Sequence, residues 1–479
     1  MKSLKKNYIY NLIYQIFMII TPFITTPYVS RVLGAEGIGE YSYVLSIVTY
    51  FGLFGLLGIT TYAQVEIAKN RDDEKECNKL IAELFTLKNI TMFITLLLYI
   101  LLIFFIPEYK KMFVILILYL LSQFNDVAWI LQGFEEFKKT VLRNIIIKLF
   151  TIICIFLFVK TSDDLYIYSI IMQGVTFIGN FTLWQYVWKY INLKNIISNV
   201  KVKSFSKHLK KSFVYFIPTI ATSVYTVLDK SMIGWLTNSA LQNGYYEQAH
   251  KIEQILVTIL TSLGTVTLPR LSYLNKNKSN EQMNNIIEKT ITFILMISIP
   301  MCVGLIGISD KLIPLFLGDG YEECIILTKV FSLLLIIVGL DSTIGRQCLM
   351  ATNNQKKFNI GVITGAIVNF ILNIVLIKKY NALGAAISSV AAEFVILSIF
   401  VIYSKKLLKF NFNSIVKYII SASLMFVVIY FISLLNIANF ICLILQIGCG
   451  GLVYFISLLV LKETFFNNIF KQFYKKIIK

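Results

Sequence analysis

The sequence predicts an all-α polytopic membrane protein with about 14 transmembrane helices: two six-helix lobes and two further C-terminal helices. Three observations lead to this fold class. Of the 479 residues, 57% are hydrophobic and only 15% are charged, and the mean hydropathy is +0.72, as is typical of chains with many membrane spans. Fourteen apolar stretches are long enough to cross a bilayer. The two halves of the chain also resemble each other, so the lobes are expected to be related by a pseudo-twofold axis along the membrane normal.

Each predicted span has the roughly 20 residues that a helix needs to cross the hydrocarbon. The spans are predicted at 7–31, 40–66, 80–106, 112–134, 141–160, 165–188, 211–236, 245–270, 286–308, 324–351, 358–378, 382–404, 415–435 and 440–461. The first lacks a signal-peptide cleavage site and is expected to be retained. We predict an N-lobe at 1–200, a C-lobe at 201–410, and two spans with a cytoplasmic tail at 411–479.

The basic residues predict the orientation of these spans. If the N-terminus is inside, the inner ends and loops hold 32 Lys and Arg residues, against 7 in the outer loops. Because positive residues concentrate on the cytoplasmic side, both termini are expected in the cytoplasm.

An internal repeat relates the two predicted lobes, with a period of about 200–220 residues. The sequence 30–34 at the end of span 1 (SRVLG) resembles 230–234 at the end of span 7 (KSMIG), and Gly39-Glu40-Tyr41 resembles Gly244-Tyr245-Tyr246. Prolines interrupt both spans, Pro22 and Pro27 in the first and Pro218 in the seventh. Such paired, interrupted spans indicate the position of a binding site.

The composition argues against several function classes. The net charge of +19 comes from short clusters between apolar runs, which is typical of topology signals and not of a nucleic-acid-binding surface. The seven cysteines show no C-x-x-C spacing and there are only two histidines, so neither a disulfide framework nor a metal site is expected. The chain has no phosphate-binding loop of the G-x-x-x-x-G-K-[ST] type. No cofactor is expected.

Residues 207–271 carry ionisable side chains in two spans that flank a predicted turn at 243–246. Asp229 and Lys230 lie in the first of these spans, and His250, Lys251 and Glu253 in the second. A charged residue facing lipid costs roughly 2.5–3.5 kcal/mol, so these side chains are expected to face one another or an aqueous cavity. By contrast, Glu83, Lys88 and Lys148 lie near inner helix ends and are expected to be interfacial.

Several segments resemble the bacterial polysaccharide (Wzx-type) flippases of the multidrug/oligosaccharidyl-lipid/polysaccharide exporter superfamily. They are PYVSRVLGAEGIGEYSYV in spans 1–2, LDKSMIGWLTNSALQNGYYEQAHKIEQ in spans 7–8, DKLIPLFLGDGYEE, and TGAIVNFILNIVLIKKYNALGAAISSVAAEF. The resemblance implies two six-helix lobes around a cavity lined by helices 1, 2, 7 and 8, in the bacterial cytoplasmic membrane. It also implies transfer of an undecaprenyl-pyrophosphate-linked oligosaccharide from the inner to the outer leaflet by alternating access. Besides membrane lipids, polysaccharide polymerase and chain-length machinery are candidate partners.

This interpretation needs cations for the pyrophosphate, and the candidates are Arg31, Lys230, Lys251 and Arg346. Arg suits bidentate phosphate contacts and Lys acts as a point charge. The alternatives are snorkelling of Arg31, Lys251 and Arg346 to the interface, and a structural pair of Lys230 with Asp229.

Buried carboxylates could couple transport to H⁺ or Na⁺, and the candidates are Asp126, Asp229, Asp341 and Glu393. Salt bridges, such as Asp341 with Arg346, are the alternative. Pro22, Pro27 and Pro218 are predicted to let spans 1 and 7 bend.

Three other functions stay open. A lipid II flippase or a cation-coupled drug antiporter would use the same superfamily fold. A polysaccharide polymerase or ligase would be an enzyme. Such enzymes resemble each other in carrying a large outer loop with catalytic residues, and the predicted outer loops here are too short for one.

Overall fold

The computed structural model describes residues 2–188, 190, 202–276, 279–352, 354–405, 407–408, 410–468 and 471, and all regular structure in these residues is helical. The chain divides into two compact units, Met1–Gly244 and Tyr245–Lys479, called unit 1 and unit 2 below. The boundary lies beyond the predicted lobe boundary at residue 200 because α9 (Val202–Thr237) packs against α1, α2 and α3. The lobes, as halves of an internal repeat, stay a prediction.

The helices of unit 1 follow one another with short connections. They are α1 (Lys2–Leu56), α2 (Ile59–Asn70), α3 (Glu74–Phe105), α4 (Lys110–Ile115), α5 (Ile117–Asn125), α6 (Ala128–Gly133), α7 (Phe137–Phe158), α8 (Leu165–Val187), α9, and the first residues of α10 (Ala240–Lys276). A 3₁₀ turn at Ser162–Asp164 leads into α8.

Two backbone breaks shape unit 1. Helix α1 stays helical through Pro22 and Pro27 but breaks at Gly34, whose φ of 69° and ψ of 171° suit only glycine. The second break separates α5 from α6 at Asp126, which adopts an extended conformation with ψ 122°. The predicted bending at the prolines therefore stays a prediction, whereas the break at Gly34 is a structural fact.

The connection between spans 7 and 8 lies earlier than predicted. Helix α9 ends at Thr237, Asn238 takes a left-handed φ of 50°, and α10 begins at Ala240. Asn tolerates this conformation better than most residues. Residues 243–246 are therefore the first turns of a helix, and the prediction of a turn there was wrong.

Two apolar clusters form the core of unit 1. One joins α1, α3 and α5 through buried Val44, Tyr99 and Leu120, and the other joins α2, α3 and α6 around Tyr62 and Trp129. The short α6 belongs to this second cluster, which explains why the chain resumes a helix directly after the break at Asp126.

The helices of unit 2 are longer and pack mainly as sequential neighbours. They are the rest of α10, then α11 (Asn280–Leu317), α12 (Glu323–Asp341), α13 (Gln355–Ser404), α14 (Phe412–Ser433) and α15 (Asn439–Val460). A π-helix at Ser342–Met350 continues directly from α12, and α13 is kinked at Asn381. One apolar cluster with Ile291, Phe400 and Tyr454 joins α11, α13 and α15.

The predicted number of membrane crossings fits these helices. Within the described residues, nine helical segments have the length and apolar composition of a membrane span. Two of them, Ile20–Asn70 and Gln355–Ser404, have 51 and 50 residues and are long enough to cross twice. The less apolar α8, α9 and α10 have 23, 36 and 37 residues. Counting the two long segments twice and adding these three helices gives fourteen.

Large apolar side chains cover the outside of both units. Phe104, Phe105, Phe412 and Val460 are each more than 70% exposed, at 72, 76, 74 and 73%. Soluble proteins rarely expose apolar patches of this kind, so these surfaces fit contact with lipid acyl chains. The predicted all-α polytopic membrane fold is confirmed.

Candidate functional site

The backbone of α1 closely approaches the first turn of α10, within unit 1. Ala35 and Gly39 lie one turn apart on α1, as do Ala240 and Gly244 on α10. A Cβ atom added to Gly39 would lie 1.7 Å from the Ala240 carbonyl oxygen, and one added to Gly244 would lie 1.8 Å from the Ala35 oxygen. Small residues spaced four apart allow such helix contact. We call these four residues the small-residue crossing.

The crossing is reciprocal and involves the internal repeat. Gly39 and Gly244 are the two glycines matched by the repeated Gly-x-Tyr pattern, and each one packs against the backbone of the other's helix. The repeat matches these residues in the sequence, but the turn predicted at 243–246 did not indicate that the two copies of the pattern touch.

Two of the predicted cations lie beside this crossing. Arg31 is exposed and precedes Ala35 by four residues, with the break at Gly34 between them. Lys230 on α9 is partly buried, and its carbonyl oxygen accepts a hydrogen bond of 2.6 Å from Nδ2 of Asn243. The Lys230 backbone therefore contacts the residue before Gly244, and Arg31 is four residues from Ala35 in the chain. Both residues thus have their backbones near the contact of α1 with α10.

The interface of α1 with α9 holds further polar groups. Asp229 is only 1% exposed, and the Tyr50 hydroxyl lies 3.3 Å from Oγ of Ser231. The ring of Tyr43 packs against Gly234, where an added Cβ atom would lie 2.1 Å from Cδ2 of Tyr43. Spans 2 and 7 therefore contact each other along the segment that carries Asp229 and Lys230.

Asp126 lies at the break between α5 and α6, in a polar network. Its carbonyl oxygen accepts a hydrogen bond of 2.6 Å from Nζ of Lys88, and its Oδ1 accepts one of 2.9 Å from the backbone N–H of Ala128. Nη2 of Arg143 lies 3.8 Å from the same carboxylate, and Nη1 donates to Oδ1 of Asn180 at 2.7 Å. Through these contacts Asp126 stabilises the break between α5 and α6.

Lys88 and Glu83 are buried, so the prediction that they are interfacial was wrong. Lys88 is 0% exposed and Glu83 is 6% exposed. Oε2 of Glu83 lies 2.9 Å from Nε2 of His208 on α9, whose Nδ1 lies 3.1 Å from the Tyr62 hydroxyl on α2. This polar triad joins three helices. The predicted topology is compatible with this triad, since spans 3 and 7 both begin on the inner side, which places Glu83 and His208 at a similar depth.

In unit 2, Lys251 and its neighbours form local pairs on α10. Nζ of Lys251 lies 3.3 Å from Oε1 of Glu247, one turn earlier. His250 lies 3.7 Å from buried Glu253, and its ring stacks on Tyr246 with centroids 5.7 Å apart. The Tyr246 hydroxyl in turn lies 3.3 Å from Oγ of Ser389 on α13.

The remaining predicted carboxylates of unit 2 are deeply buried. Asp341 is 7% exposed and Glu393 is 5% exposed. Neither carboxylate oxygen of Asp341 has a hydrogen-bond partner among the described residues. Asp341 also directly precedes the π-helix, a form of helix that often occurs at functional sites.

Two predicted residues cannot be placed in full. The backbones of Pro218 and Arg346 lie in α9 and the π-helix, but their side chains lie outside the part of the molecule that the structure describes. The predicted pair of Asp341 with Arg346 therefore stays a prediction. In the described residues, no group of three or more His, Cys, Asp or Glu side chains is placed to hold a metal ion.

Known proteins are similar to this chain in sequence and in fold. A family model described as "Polysaccharide biosynthesis protein" matches residues 4–275. The chain is 24% identical over 407 residues to a putative O-antigen transporter of Escherichia coli (strain K12), a match that covers 84% of this chain and 96% of the relative.

Two solved structures have a similar fold. The lipid II flippase MurJ in an inward closed conformation aligns over 99% of both chains, with a TM-score of 0.75 and 20% identity. An inward-facing multidrug resistance MATE family transporter of the MOP superfamily aligns over 81% of this chain and 97% of its own, with a TM-score of 0.60 and 12% identity. At these identities the two structures support the fold alone. The family model, however, matches more than half of the sequence, and the chain therefore belongs to the polysaccharide biosynthesis protein family.

Proposed function

We propose that this protein transfers an undecaprenyl-pyrophosphate-linked oligosaccharide repeat unit from the inner to the outer leaflet of a bacterial cytoplasmic membrane. The family and the relative named as an O-antigen transporter support a role in surface polysaccharide assembly. The polymerase and chain-length machinery of such a pathway are the proposed partners.

The observation that carries the proposal is the small-residue crossing with its flanking cations. A flippase must move a charged, sugar-bearing headgroup past hydrocarbon, which requires polar groups on helices that can separate. Helices α1 and α10 touch through backbone atoms with few side chains between them, so their contact can be broken without extracting large apolar groups. Arg31 and Lys230 lie next to this contact.

Arg31 and Lys230 are proposed to bind the pyrophosphate. The planar guanidinium can donate two parallel hydrogen bonds to phosphate oxygens, and the ammonium supplies a second positive charge. Lys251 is a weaker candidate because Glu247 already pairs with it at 3.3 Å. Arg346 is kept in the proposed set for its position in the π-helix.

Three of the four predicted coupling carboxylates fit the proposal better than the fourth. Asp229, Asp341 and Glu393 are buried within long helices, where a carboxylate that gains or loses a proton or Na⁺ could bias a conformational change. Asp126 already accepts hydrogen bonds that hold the break between α5 and α6. The membrane potential could assist export, by about 2.3 kcal/mol per charge per 100 mV.

The test is leaflet transfer of a fluorescent lipid-linked oligosaccharide by the purified protein in proteoliposomes. We expect transfer by the wild-type protein, and at least about tenfold slower transfer for Arg31→Ala and for Lys230→Ala, because each removes a charge-assisted contact. Arg71→Ala and Lys75→Ala are the matched controls, since both residues are exposed, Arg71 in the loop before α3 and Lys75 in the first turn of α3.

Each outcome distinguishes one part of the proposal. Normal transfer by both Arg31→Ala and Lys230→Ala would overturn the residue assignment. A wild-type protein that moves lipid II or a cationic drug, but no lipid-linked repeat unit, would overturn the substrate class.

A further inference from the structure

A groove runs along the outer side of α7 and α8 in unit 1, away from the small-residue crossing. It has a volume of about 510 Å³. Leu142, Ile146 and Phe150 recur every four residues on the α7 wall, and Ile178 and Thr182 do so on the α8 wall. Each set follows one face of its helix, so the groove follows the two helices lengthwise.

The groove is apolar along most of its length and open to the outside. Leu142, Ile146 and Phe150 are 54, 57 and 55% exposed, and Ile178 is 67% exposed. The lining extends from Lys138 to Phe150 on α7, a rise of about 18 Å at 1.5 Å per residue. One leaflet of a bilayer with about 30 Å of hydrocarbon is about 15 Å thick. The groove therefore has the length of one acyl chain.

One end of the groove is basic. Lys138, Lys139 and Arg143 line it there, together with Tyr186, whose ring centroid lies 4.6 Å from Nζ of Lys139. Carboxylates offset part of this charge, since Glu136 pairs with Lys139 at 2.5 Å and Asp126 lies 3.8 Å from Arg143. Lys138 is exposed, and the described residues provide it with no ion pair.

Arg143 is held in place at this end by a chain of buried groups. Its Nη1 donates to Oδ1 of Asn180 at 2.7 Å, and Asn180, 4% exposed, donates from Nδ2 to the Ser122 carbonyl oxygen at 2.7 Å. The guanidinium is therefore positioned where the basic end meets the apolar walls.

We propose that this groove binds an anionic phospholipid, with one acyl chain along the α7–α8 walls and the phosphate at Lys138, Lys139 and Arg143. Charge complementarity identifies the occupant, because cations outnumber carboxylates at the end where a headgroup would lie. The apolar length matches an acyl chain of a single leaflet. Such a lipid would fill the space between α7 and α8 and stabilise their packing.

The experiment measures lipid binding to the delipidated, full-length protein in detergent by native mass spectrometry. Phosphatidylglycerol is titrated against phosphatidylcholine with the same acyl chains. The wild-type protein should retain the anionic lipid preferentially. The double variant Lys138→Gln/Lys139→Gln should bind phosphatidylglycerol about tenfold more weakly, because each basic residue near a headgroup contributes to binding. Thr182→Trp, which places a ring in the exposed groove, should also reduce binding.

Two matched variants control for charge and size. Lys110→Gln/Lys111→Gln removes an equivalent lysine pair, in which Lys111 lies 3.9 Å from the Tyr166 ring centroid, and Phe181→Trp adds bulk at an exposed residue outside the groove. Both should bind phosphatidylglycerol as the wild type does. Equal binding of the two lipids by the wild type would overturn the proposal. So would unchanged phosphatidylglycerol binding in both groove variants, or an equal loss of binding in the Lys110→Gln/Lys111→Gln control. A wild-type dimer that Thr182→Trp dissociates would also overturn the proposal, because a second copy of the chain would then occupy the groove.

Discussion

Lys88 illustrates how a single charged side chain is accommodated inside an apolar unit. It is 0% exposed, yet its ammonium group donates to a carbonyl oxygen that the break after α5 leaves without a helical partner. The buried ammonium group thus has an acceptor, and the carbonyl oxygen at the break has a donor. Glu83 and His208 are matched in the same way between α3 and α9. Sequence position alone suggested interfacial residues, because a lysine stem of this length can often reach water.

Replacing Lys88 with Met should destabilise unit 1. The substitution keeps an unbranched side chain, shorter by one heavy atom, but leaves the Asp126 carbonyl oxygen without its donor, which costs about 1–3 kcal/mol. The midpoint of thermal unfolding in detergent should fall accordingly. Lys75→Met on the exposed first turn of the same helix should change stability by less than about 0.5 kcal/mol. Equal midpoints for the two variants would contradict the assigned role of Lys88.

At the scale of elements, the backbone breaks decide which helices can touch. Helix α1 changes direction at Gly34, and residues 35–39 then meet the first turn of α10. The sequence predicted the spans on either side from their apolar lengths. It could not predict the contact, because an Ala-x-x-x-Gly spacing within a helix is equally compatible with packing against many other surfaces.

Gly39→Ala should disrupt the small-residue crossing. The new Cβ would lie 1.7 Å from the Ala240 oxygen, so the helices must separate, at a cost of about 1–3 kcal/mol. Both the unfolding midpoint and the rate of lipid transfer should fall. The control is Gly37→Ala, whose Cβ would make an ordinary contact of 3.6 Å with the Leu165 side chain. If both variants unfold and transport alike, the crossing does not have the tight packing described.

The turn before α8 should make stability depend on pH. Hydrogen bonds from the backbone N–H groups of Lys160 and Thr161 lower the pKa of Asp164 from its ordinary value of 3.8. A carboxyl whose pKa is lower in the folded state than in the unfolded state stabilises the fold fully above the unfolded pKa. This stabilisation is lost as the pH falls through the folded pKa. Asp164→Asn should therefore lower the unfolding midpoint at about pH 7, with the difference shrinking at about pH 3. A difference between Asp164→Asn and the wild type that stays constant from pH 7 to pH 3 would refute the assignment.

At the scale of the whole molecule, the sequence was sufficient for the helical membrane fold and for the family. Both depend on properties that add along the chain, namely apolar length and patterns spread over many residues. The site depends on contacts between distant residues, and these followed less directly. Repeat matching did identify Gly39 and Gly244, and it placed Arg31 and Lys230 at related positions. The triad of Tyr62, Glu83 and His208 could not be predicted, because its three residues lie on three helices and no local pattern connects them.

The orientation of the whole chain follows from its basic residues and can be tested with introduced cysteines. The excess of 32 Lys and Arg on one side over 7 on the other predicts that the α2–α3 loop is cytoplasmic and the α7–α8 turn external. In intact cells, Ser162→Cys should react with a membrane-impermeant maleimide, whereas Asp72→Cys should react only after permeabilisation. The native protein should label weakly, because six of its seven cysteines are buried and Cys449 is partly buried. Labelling of Asp72→Cys in intact cells, with protection of Ser162→Cys, would invert the topology and with it the proposed direction of transfer, since the proposed export begins at the leaflet where the basic loops lie.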